Sequence, residues 1–588
     1  MASPQDRFKN LIDHLWSYRN SAIWILIIAA LAAFIALPLA AQKGYMDEKA
    51  LVVGAMGLSI HEIQGADSIY NQLQKENDLH DVYSLLSRAS ELSTRHTTTE
   101  ILPPPPIWHQ NKNSSNPSSR CHGAAVHAVI PGGRGDGTEA LLLAFPITPA
   151  SDTARFIVAI GVQAARHLSG VPWLAKDLAI VFLEVEGGNS SDTLRCSHSN
   201  ALEALESWLR YMDLTEAKEK KKNAAQPPRQ QQQHQVVLGL IQQGIILDIR
   251  TIAATEARLS VHGYNGQLPN LDLVVLTKKN LDFYTNFPHG VGLDVGRAPA
   301  VKTRSDINTL RQRIRTSVSF AGYLARGKPT GAHAALLDKG ADALGIIFTR
   351  PELSNLDSLS GDNSANSIIN DSDVVLTARN ALNAIEMILR TCNNLHERLH
   401  HANALYILID ADHFVNVGAC MVPPGLLLAA LLLVVAQHVP SMSAEGEKEK
   451  KGAVIVLMVH AAAASIVIMS LQFSCDSNFI FSQDSDTLLQ TVSTILAAAL
   501  ISIKIGGTWT KHLSTTAAAV NITETTRTGE VETGTLLHSF VGVCSILVLI
   551  EAAALLLWRW ALSFTLLAIT VPLLHLLSRY ANNNSRPS

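Results

Sequence analysis

Cysteine and charged residues are both scarce in this 588-residue chain, and what is scarce limits the class of protein. Six cysteines are too few for a small scaffold held together by disulfides. Charged residues make up 16% of the chain, against about 25% in typical soluble domains. The formal net charge is only -3, so the charge balance does not favour nucleic acid as a partner. Hydrophobic residues make up an ordinary 47%, but the low charge and a mean hydropathy of +0.16 predict a soluble domain joined to a membrane part.

Long uncharged apolar runs lie on both sides of residues 42–416 and not within them. Ser21–Ala41 is long enough to cross a hydrocarbon core of about 30 Å as a helix. A cleaved signal peptide is the alternative for an apolar run so close to the N-terminus. Further runs predict a multi-span α-helical membrane domain at 417–577: Val417–Gln437, Ala453–Phe473, Leu488–Ile503, Leu536–Trp558 and Trp560–Leu577.

Basic residues in the connecting segments orient these spans. Lysine and arginine are frequent in 1–20 and after the second, fourth and sixth spans, whereas the loop Gln472–Thr487 carries aspartates and no basic residue. An excess of positive charge marks the cytosolic side of a membrane. We therefore expect 1–20 and 578–588 to be cytosolic tails and 42–416 to lie on the far side.

The segment 42–416 also carries the sequence signal for N-linked glycans. Asn113, Asn189 and Asn370 each begin an Asn-x-Ser tripeptide on the side that the charge rule assigns to the lumen. Such tripeptides are common by chance, so these three residues are candidates for glycosylation.

Within 42–416, short apolar runs alternate with runs of helical period, which predicts an α/β domain around a largely parallel sheet. Ala154–His167 and Ala201–Met212 predict helices, and Asp373–Leu408 predicts a long helix leading into the second span. Lysine, proline and glutamine in Leu214–Gln235 indicate a disordered insertion. The predicted strands are Ala124–Ile130, Glu139–Phe145, Asp177–Leu183, Arg258–Val261 and Ala341–Phe348.

An acidic pair follows the third predicted strand, in Glu184-Val185-Glu186. The carboxyl ends of parallel strands are where such sheets place active sites. The region resembles two-metal zinc aminopeptidases, in which paired glutamates serve as general base and metal ligand. A zinc site would also need a His-x-Asp after the preceding strand, but that strand runs into Phe145-Pro146-Ile147-Thr148. We expect a metal-free peptidase-like domain without catalytic residues or cofactor; the alternative is an active, membrane-tethered zinc aminopeptidase.

Three stretches carry a resemblance to a known family. They are Tyr45–Ala50 just past the first span, Val261–Asp272 in the middle of the domain, and Leu395–His401 ahead of the second span. Trp173–Asp177 and Gly327–His333 fit the same family. On these residues the chain resembles the GPI-anchor attachment subunits of the GPI transamidase complex.

The resemblance implies a multi-pass membrane glycoprotein of the endoplasmic reticulum that acts in GPI-anchor biosynthesis. It implies a non-catalytic subunit that recognises the GPI lipid and presents it for attachment to the C-terminus of substrate proproteins. Cleavage and transfer would belong to a separate caspase-like cysteine subunit. The implied partners are therefore the other subunits, the GPI lipid, the substrates and the membrane, and not nucleic acid. A pure scaffold subunit is the remaining alternative.

The resemblance also implies a GPI headgroup site near the membrane. Glu186 is an acceptor suited to the ethanolamine ammonium, and His400 is either a donor to the phosphate or a surface histidine. Asn265, Gly266 and Gln267 mark the family and are expected to form a structural turn. The hypothetical headgroup residues are Tyr45, Asp47, Lys49, Glu186, His400 and His401.

Glu551 is a carboxylate inside a predicted span, where a charge is costly and normally faces a partner or water. We expect it to pair with Arg559, with His575 or with a basic group of another subunit; reaching the luminal interface is the alternative. Chains of the family usually continue with further spans beyond a segment resembling Ala561–Leu577. We therefore expect either a partner that supplies this surface or weaker GPI retention.

Overall fold

The structure is a computed structural model, and the account below covers the residues that it describes. These residues are 19–45, 58–75, 85–89, 125–135, 137–148, 151–185, 201–212, 238–295, 307–350, 371–395, 405–444 and 560–584. The predicted disordered insertion Leu214–Gln235 and the third, fourth and fifth predicted spans lie outside them. The chain divides into two compact units, Pro38–Val417 and the combination of Met1–Leu37 with Gly418–Ser588.

Strands and helices alternate along the first unit. The strands are β1 (Gln42–Lys43), β2 (Ala125–Ile130), β3 (Glu139–Ile147), β4 (Asp177–Glu184), β5 (Leu240–Ile249), β6 (Glu256–Ser260), β7 (Val291–Leu293), β8 (Asp342–Thr349), β9 (Tyr406–Leu408) and β10 (His413–Asn416). The helices of both units are α1 (Arg19–Ile35), α2 (Ile60–Leu73), α3 (Asp152–Ser169), α4 (201–212), α5 (Leu271–Tyr284), α6 (Ile307–Arg326), α7 (Ala334–Asp338), α8 (Asp371–Asn393), α9 (Val417–Ala444) and α10 (Trp560–Asn584).

Seven strands form one mixed sheet in the order β2-β4-β3-β5-β8-β6-β7. The four central strands β4, β3, β5 and β8 run parallel. Strand β2 is antiparallel to β4, and β6 is antiparallel to β8. The α/β domain and its largely parallel sheet are therefore confirmed.

Helices cover both faces of this sheet, which is why its central strands are apolar throughout. Leu142 faces a cluster that includes Trp208 of α4 and Leu336 of α7. On the other face, Leu143 contributes to a small cavity whose lining includes Ile385 of α8. Because both faces are buried, β3 and β4 have continuous apolar runs rather than an alternating pattern.

Two parts of the predicted domain differ from the structure. Strand β5, in the centre of the sheet, was not predicted, because Gln242, Gln243 and Gly244 interrupt its apolar run. The long helix predicted at Asp373–Leu408 was wrong in its C-terminal part: α8 ends at Asn393, and the last three residues of that range form β9.

A second, three-stranded sheet joins the two ends of the domain. Its order is β1-β10-β9, and all neighbours are antiparallel. Gln42 lies opposite Phe414, and Lys43 lies opposite His413. Strand β1 follows the first apolar run directly, and β10 leads directly into α9, so both connections to the predicted spans leave from this sheet.

In the second unit, α1, α9 and α10 share one apolar cluster that includes Ile27, Leu431 and Leu567. Among the described residues, two helices are long and apolar enough to cross a membrane, at Asn20–Ala40 and Val417–Val435. A shorter apolar helix lies at Leu566–Arg579. Two of the predicted spans coincide with such helices, and the multi-span membrane domain stays a prediction.

Candidate functional site

One residue of the predicted headgroup site, Tyr45, lies in the described part of the chain. The signature residues Asn265, Gly266 and Gln267 are described as well. The other candidates lie outside the described residues: Asp47, Lys49, Glu186, His400, His401, Glu551, Asn113, Asn189 and Asn370.

Tyr45 follows strand β1 at the end of the domain that carries both connections to the apolar helices. Its side chain is 51% exposed, and its ring centroid lies 6.1 Å from that of Phe414 on β10. The preceding Gly44 donates its N–H to the carbonyl of Asp412 at 2.7 Å. A Cβ at Gly44 would lie 2.9 Å from Val275, so glycine lets the chain pass close to α5. Tyrosine, with an apolar ring and a polar tip, is typical of a membrane–water interface.

A lysine of α5 is held beside this strand. Lys278 is 8% exposed, and its Nζ lies 3.1 Å from a carboxylate oxygen of Asp412. It also pairs with Asp282 one turn along the helix. Two carboxylates around one buried ammonium satisfy its charge. We interpret Lys278 as a fixed structural element that positions the turn before β10.

An arginine of α6 closes the same turn from another side. The Nε of Arg313 donates to Asp410 at 3.1 Å, and its Nη2 lies 3.4 Å from the His413 ring. The other oxygen of Asp410 accepts the backbone N–H groups of Asp412 and His413 at 2.8 and 2.7 Å. Asp410 therefore shapes the β9–β10 turn and fixes α6 to the three-stranded sheet. Together, Tyr45 and the turn 410–413 are called the membrane-proximal site below.

The signature stretch forms a different kind of structure. Residues Tyr264–Gly266 make one 3-10 turn, in which Asn265 has a φ of 55° and Gly266 a φ of 76°. The N–H of Asn265 donates to the carbonyl of Gly327, the first residue of the family stretch Gly327–His333. A Cβ at Gly266 would lie 3.0 Å from the carbonyl oxygen of Leu324. The sequence is recognisable here because few residues fit this backbone.

Two buried histidines connect these two stretches. His262 and His333 are both fully buried, and none of their ring nitrogens has a hydrogen bond of good geometry among the described residues. Burial lowers the pKa of His262 to about 3, aided by the nearby His333. Burial lowers the pKa of His333 to about 4. Both rings are neutral at physiological pH, and the ring of His262 packs 4.2 Å from that of Phe320.

Side-chain hydrogen bonds complete this region, called the signature junction below. Thr330 accepts from Ser260 Oγ at 2.7 Å and from the His262 N–H at 3.2 Å. The hydroxyl of Tyr264 donates to Glu206 of α4, and burial followed by this contact raises the pKa of Tyr264. Around His262, His333 and Ser260 the signature junction is buried and has the geometry of a structural core, whereas its turn Tyr264–Gly266 has no buried residue.

A third family stretch is held by one asparagine at the end of α8. The Asn393 side chain accepts the N–H groups of Ala175 and Lys176 at 2.9 and 3.0 Å and donates to the carbonyl of Trp173 at 2.7 Å. The Lys176 ammonium donates to Gln242 at 2.5 Å. Asn393 was not singled out in the sequence, since 217 residues separate it from Lys176.

The carboxyl edge of the sheet is where a metal would be expected. Ile147 lies opposite Glu184, and the N–H of Val185 donates to the carbonyl of Ile147 at 2.8 Å. On the next strand, Asp248 pairs with the Arg250 guanidinium at 2.9 Å. Among the residues that the structure describes, no group of three or more His, Cys, Asp and Glu side chains is arranged to hold a metal ion.

Sequence reasoning missed the residues that build the membrane-proximal site. Arg313 and Asp410 are 97 residues apart, so no local pattern connects them. The available signal was the short run Asp410-Ala411-Asp412-His413, whose first aspartate is typical of a side chain that caps its own turn.

Comparison with known proteins places these features in one family. A family model described as "Gaa1-like, GPI transamidase component" matches residues 122–588. "GPI transamidase component gaa1" of Schizosaccharomyces pombe is 24% identical over 338 residues, which cover 56% of this chain and 49% of that protein. "GPI transamidase component GAA1" of Saccharomyces cerevisiae is 24% identical over 335 residues, which cover 55% of this chain and 42% of that protein.

The chain therefore spans about half the length of the curated relatives that it matches. Among solved structures, the Legionella pneumophila LapA aminopeptidase is similar with a TM-score of 0.31 and 9% identity, over 60% of this chain and 76% of that one. The match of the family model extends over most of the chain, including the signature junction and the membrane-proximal turn. The chain belongs to the Gaa1-like family of GPI transamidase components.

Proposed function

We propose that this chain is a subunit of a GPI transamidase in the membrane of the endoplasmic reticulum. The observation that carries the proposal is the family match over residues 122–588. In this role the chain recognises the GPI lipid and presents it, while a separate caspase-like cysteine subunit cleaves the substrate proprotein and transfers its new C-terminus. The chain itself is not catalytic.

The proposed topology places 42–416 in the lumen and both termini in the cytosol, with several spans in 417–577. Support comes from the pairing of β1 with β10. The segments that adjoin Asn20–Ala40 and Val417–Val435 pair in one small sheet, which requires both segments to lie on the same side of the membrane. The loop Gln472–Thr487 carries aspartates and no basic residue, which agrees with a luminal position for this loop and a cytosolic C-terminus.

The proposed place of GPI presentation is the membrane-proximal site. Support comes from the exposed ring of Tyr45, which lies within a few residues of a predicted span. Asp47 and Lys49 follow it in the chain, and Glu186, His400 and His401 remain proposed contacts for the phosphoethanolamine headgroup. Fixed ion pairs in the 410–413 turn would hold the site in place while Tyr45 stays free to contact lipid.

Depletion of the chain in cells of the source organism tests the proposal directly. We expect reporter proproteins with a GPI signal to keep that signal and to lack GPI, because the lipid is no longer presented. A reporter with an ordinary transmembrane anchor is the control and should be processed normally. Undiminished GPI attachment after depletion would contradict the proposal.

Two measurements separate this role from the alternatives. Full-length chain purified from membranes should hold no stoichiometric zinc and cleave no peptides, whereas an aminopeptidase would do both. A triple variant with Asp47, Glu186 and His400 changed to alanine should assemble with the other subunits but lose GPI attachment. Normal attachment by this variant would identify the chain as a scaffold only.

A further inference from the structure

Helix α6 has an unusual distribution of charge. Its sequence contains four arginines and no acidic residue. Arg313 lies on the buried side and is used in the fold, since it pairs with Asp410. The other three, Arg311, Arg315 and Arg326, are exposed.

The helical period places the three exposed arginines on one face. Successive residues turn by about 100°, so Arg311, Arg315 and Arg326 fall within an arc of roughly 60°. Arg313 points to the opposite side, at about 160–200° from Arg311 and Arg315. The basic face extends over roughly 22 Å at about 1.5 Å per residue. Val318, which is 46% exposed, lies on the same face.

The fold does not account for this face. Among the described residues, none of the three exposed guanidinium groups has an ion-pair or hydrogen-bond partner, whereas Arg313 has both. Arginines four residues apart repel each other and weaken a helix slightly. A row of arginines on one face, without partners in the described part of the chain, raises the local concentration of anions there.

The position of α6 in the fold indicates which kind of anion the basic face would bind. Arg313 fixes α6 to the turn that leads into β10, and β10 ends where the apolar helix α9 begins. The N-terminal half of α6 therefore packs beside the membrane-proximal site, and its basic face is turned outward, away from the Arg313–Asp410 contact. Val318 adds an exposed apolar side chain to the basic face, and exposed Leu310 lies about 100° from Arg311. Apolar side chains next to basic ones are typical of helices that bind at a lipid headgroup region. The planar guanidinium matches the oxygens of a phosphate group.

We propose that the exposed face of α6, formed by Arg311, Arg315 and Arg326, binds the phosphate groups of a membrane lipid headgroup. This inference rests on the proposed function for the placement of the domain at a membrane. It adds a phosphate-binding surface to the presentation of GPI at the membrane-proximal site. The lipid contacts the arginines through charge-assisted hydrogen bonds, and no covalent step is involved.

Binding of short-chain lipids to the full-length chain in detergent tests the proposal. The probes are dioctanoyl phosphatidylinositol, its water-soluble headgroup glycerophosphoinositol, and inorganic phosphate. We expect the triple variant Arg311→Gln, Arg315→Gln, Arg326→Gln to bind the lipid at least about tenfold more weakly, because several charge-assisted contacts are lost. The matched control removes three exposed cations elsewhere, Lys75→Gln, Arg166→Gln and Arg379→Gln, and should bind like the wild type.

A second variant keeps the test informative if the first is damaged. Arginine-to-lysine changes at the same three positions keep the charge and should bind with intermediate affinity, with a stronger dependence on salt. Equal thermal unfolding temperatures of the variants and the wild type show that folding is intact.

Three results would overturn the proposal. The first is wild-type lipid affinity in the glutamine variant. The second is inorganic phosphate binding as tightly as the lipid, which would assign the face to a free anion. The third is unchanged lipid binding with loss of another subunit from the purified complex, which would assign it to an acidic protein surface. None of these results depends on whether GPI attachment needs the chain, so the proposed function is tested separately.

Discussion

The signature junction and the membrane-proximal site differ in almost every physical property. The centre of the signature junction is buried and neutral, with His262 and His333 fully enclosed, while its turn Tyr264–Gly266 has no buried residue. The membrane-proximal site is charged and partly exposed, with paired aspartates around Arg313 and Lys278 and an exposed ring at Tyr45. The first has the most recognisable sequence, and the second has the more suitable chemistry for a lipid headgroup.

This difference shows why a family signature and a proposed functional site need not coincide. A tight turn with positive φ at Asn265 and Gly266 admits few residues, so its sequence is distinctive for reasons of folding. A surface that binds a charged headgroup can be built from many combinations of aromatic and charged side chains. Changes in the signature junction should therefore alter stability, and changes in the membrane-proximal site should alter activity.

Acid should give the largest effect, and it should act through the signature junction. The folded pKa values of His262 and His333 lie near 3 and 4, below about 6.5 in the unfolded chain. The unfolded chain therefore binds more protons in this window, and stability is complete above about pH 6.5 and falls as the pH drops towards 4. We expect each histidine to cost up to about 1.4 kcal/mol per pH unit.

Denaturant unfolding of the full-length chain at several pH values measures this effect. His262→Phe fits beside the ring of Phe320 and should reduce the slope of stability against pH by about one proton. His61→Phe changes an exposed histidine on α2 and serves as the control. An unchanged slope in the His262 variant would show that the buried pair is not the source of acid sensitivity.

Gly266→Ala should have the next largest effect. Gly340 has almost the same φ, 77° against 76°, but a Cβ there would meet nothing within 4 Å, whereas at Gly266 it would meet the Leu324 carbonyl at 3.0 Å. Strain from positive φ should destabilise both alanine variants by roughly 1–2 kcal/mol. The close contact should add about 1 kcal/mol or more at Gly266 alone. Equal unfolding midpoints for the two variants would contradict this account.

Much of the domain could be predicted from the sequence, because a strand that is buried on both faces of the sheet has a continuous run of apolar residues. The runs that became β3, β4 and β8 are continuous and apolar. Strand β5 was not predicted because its apolar run is interrupted by Gln242, whose side chain accepts a hydrogen bond from the Lys176 ammonium, a tertiary contact that no local pattern reveals. The end of α8 was not predicted for the same reason, since Asn393 accepts a hydrogen bond from Ala175, which is far away in the chain.

The candidate site could be predicted only in part. Tyr45 was found through its resemblance to a family stretch, and it does lie beside the connections to the apolar helices. The ion pairs around it were not found, because Arg313 and Asp410 meet only after α6 and β10 have packed together. Charge pairs between distant segments leave no periodic trace in the sequence.

Arg313→Gln tests how much the ion pair at the membrane-proximal site contributes to stability. The variant removes the ion pair with Asp410, of which the arginine is 26% and the aspartate 10% exposed. After allowance for solvent screening, we expect a loss of about 1 kcal/mol in the free energy of unfolding. Arg379→Gln, on an exposed position of α8, should cost almost nothing. Denaturant titration measures the free energy of unfolding of both variants. Equal values would refute a structural role for the Arg313–Asp410 pair.

Tyr45 should show the smallest effect on stability and the clearest effect on function. Its ring is half exposed and contacts Phe414 at 6.1 Å, so Tyr45→Ala should change the free energy of unfolding by about 0.5 kcal/mol or less. GPI attachment to a reporter should nevertheless fall, because the variant loses an aromatic group suited to the membrane interface. Tyr45→Phe keeps the ring and should retain most of the attachment. Unchanged GPI attachment in Tyr45→Ala would contradict a functional role for the membrane-proximal site. Unfolding of the domain in the same variant would show that Tyr45 is structural, and the proposed difference between the signature junction and the membrane-proximal site would then be wrong.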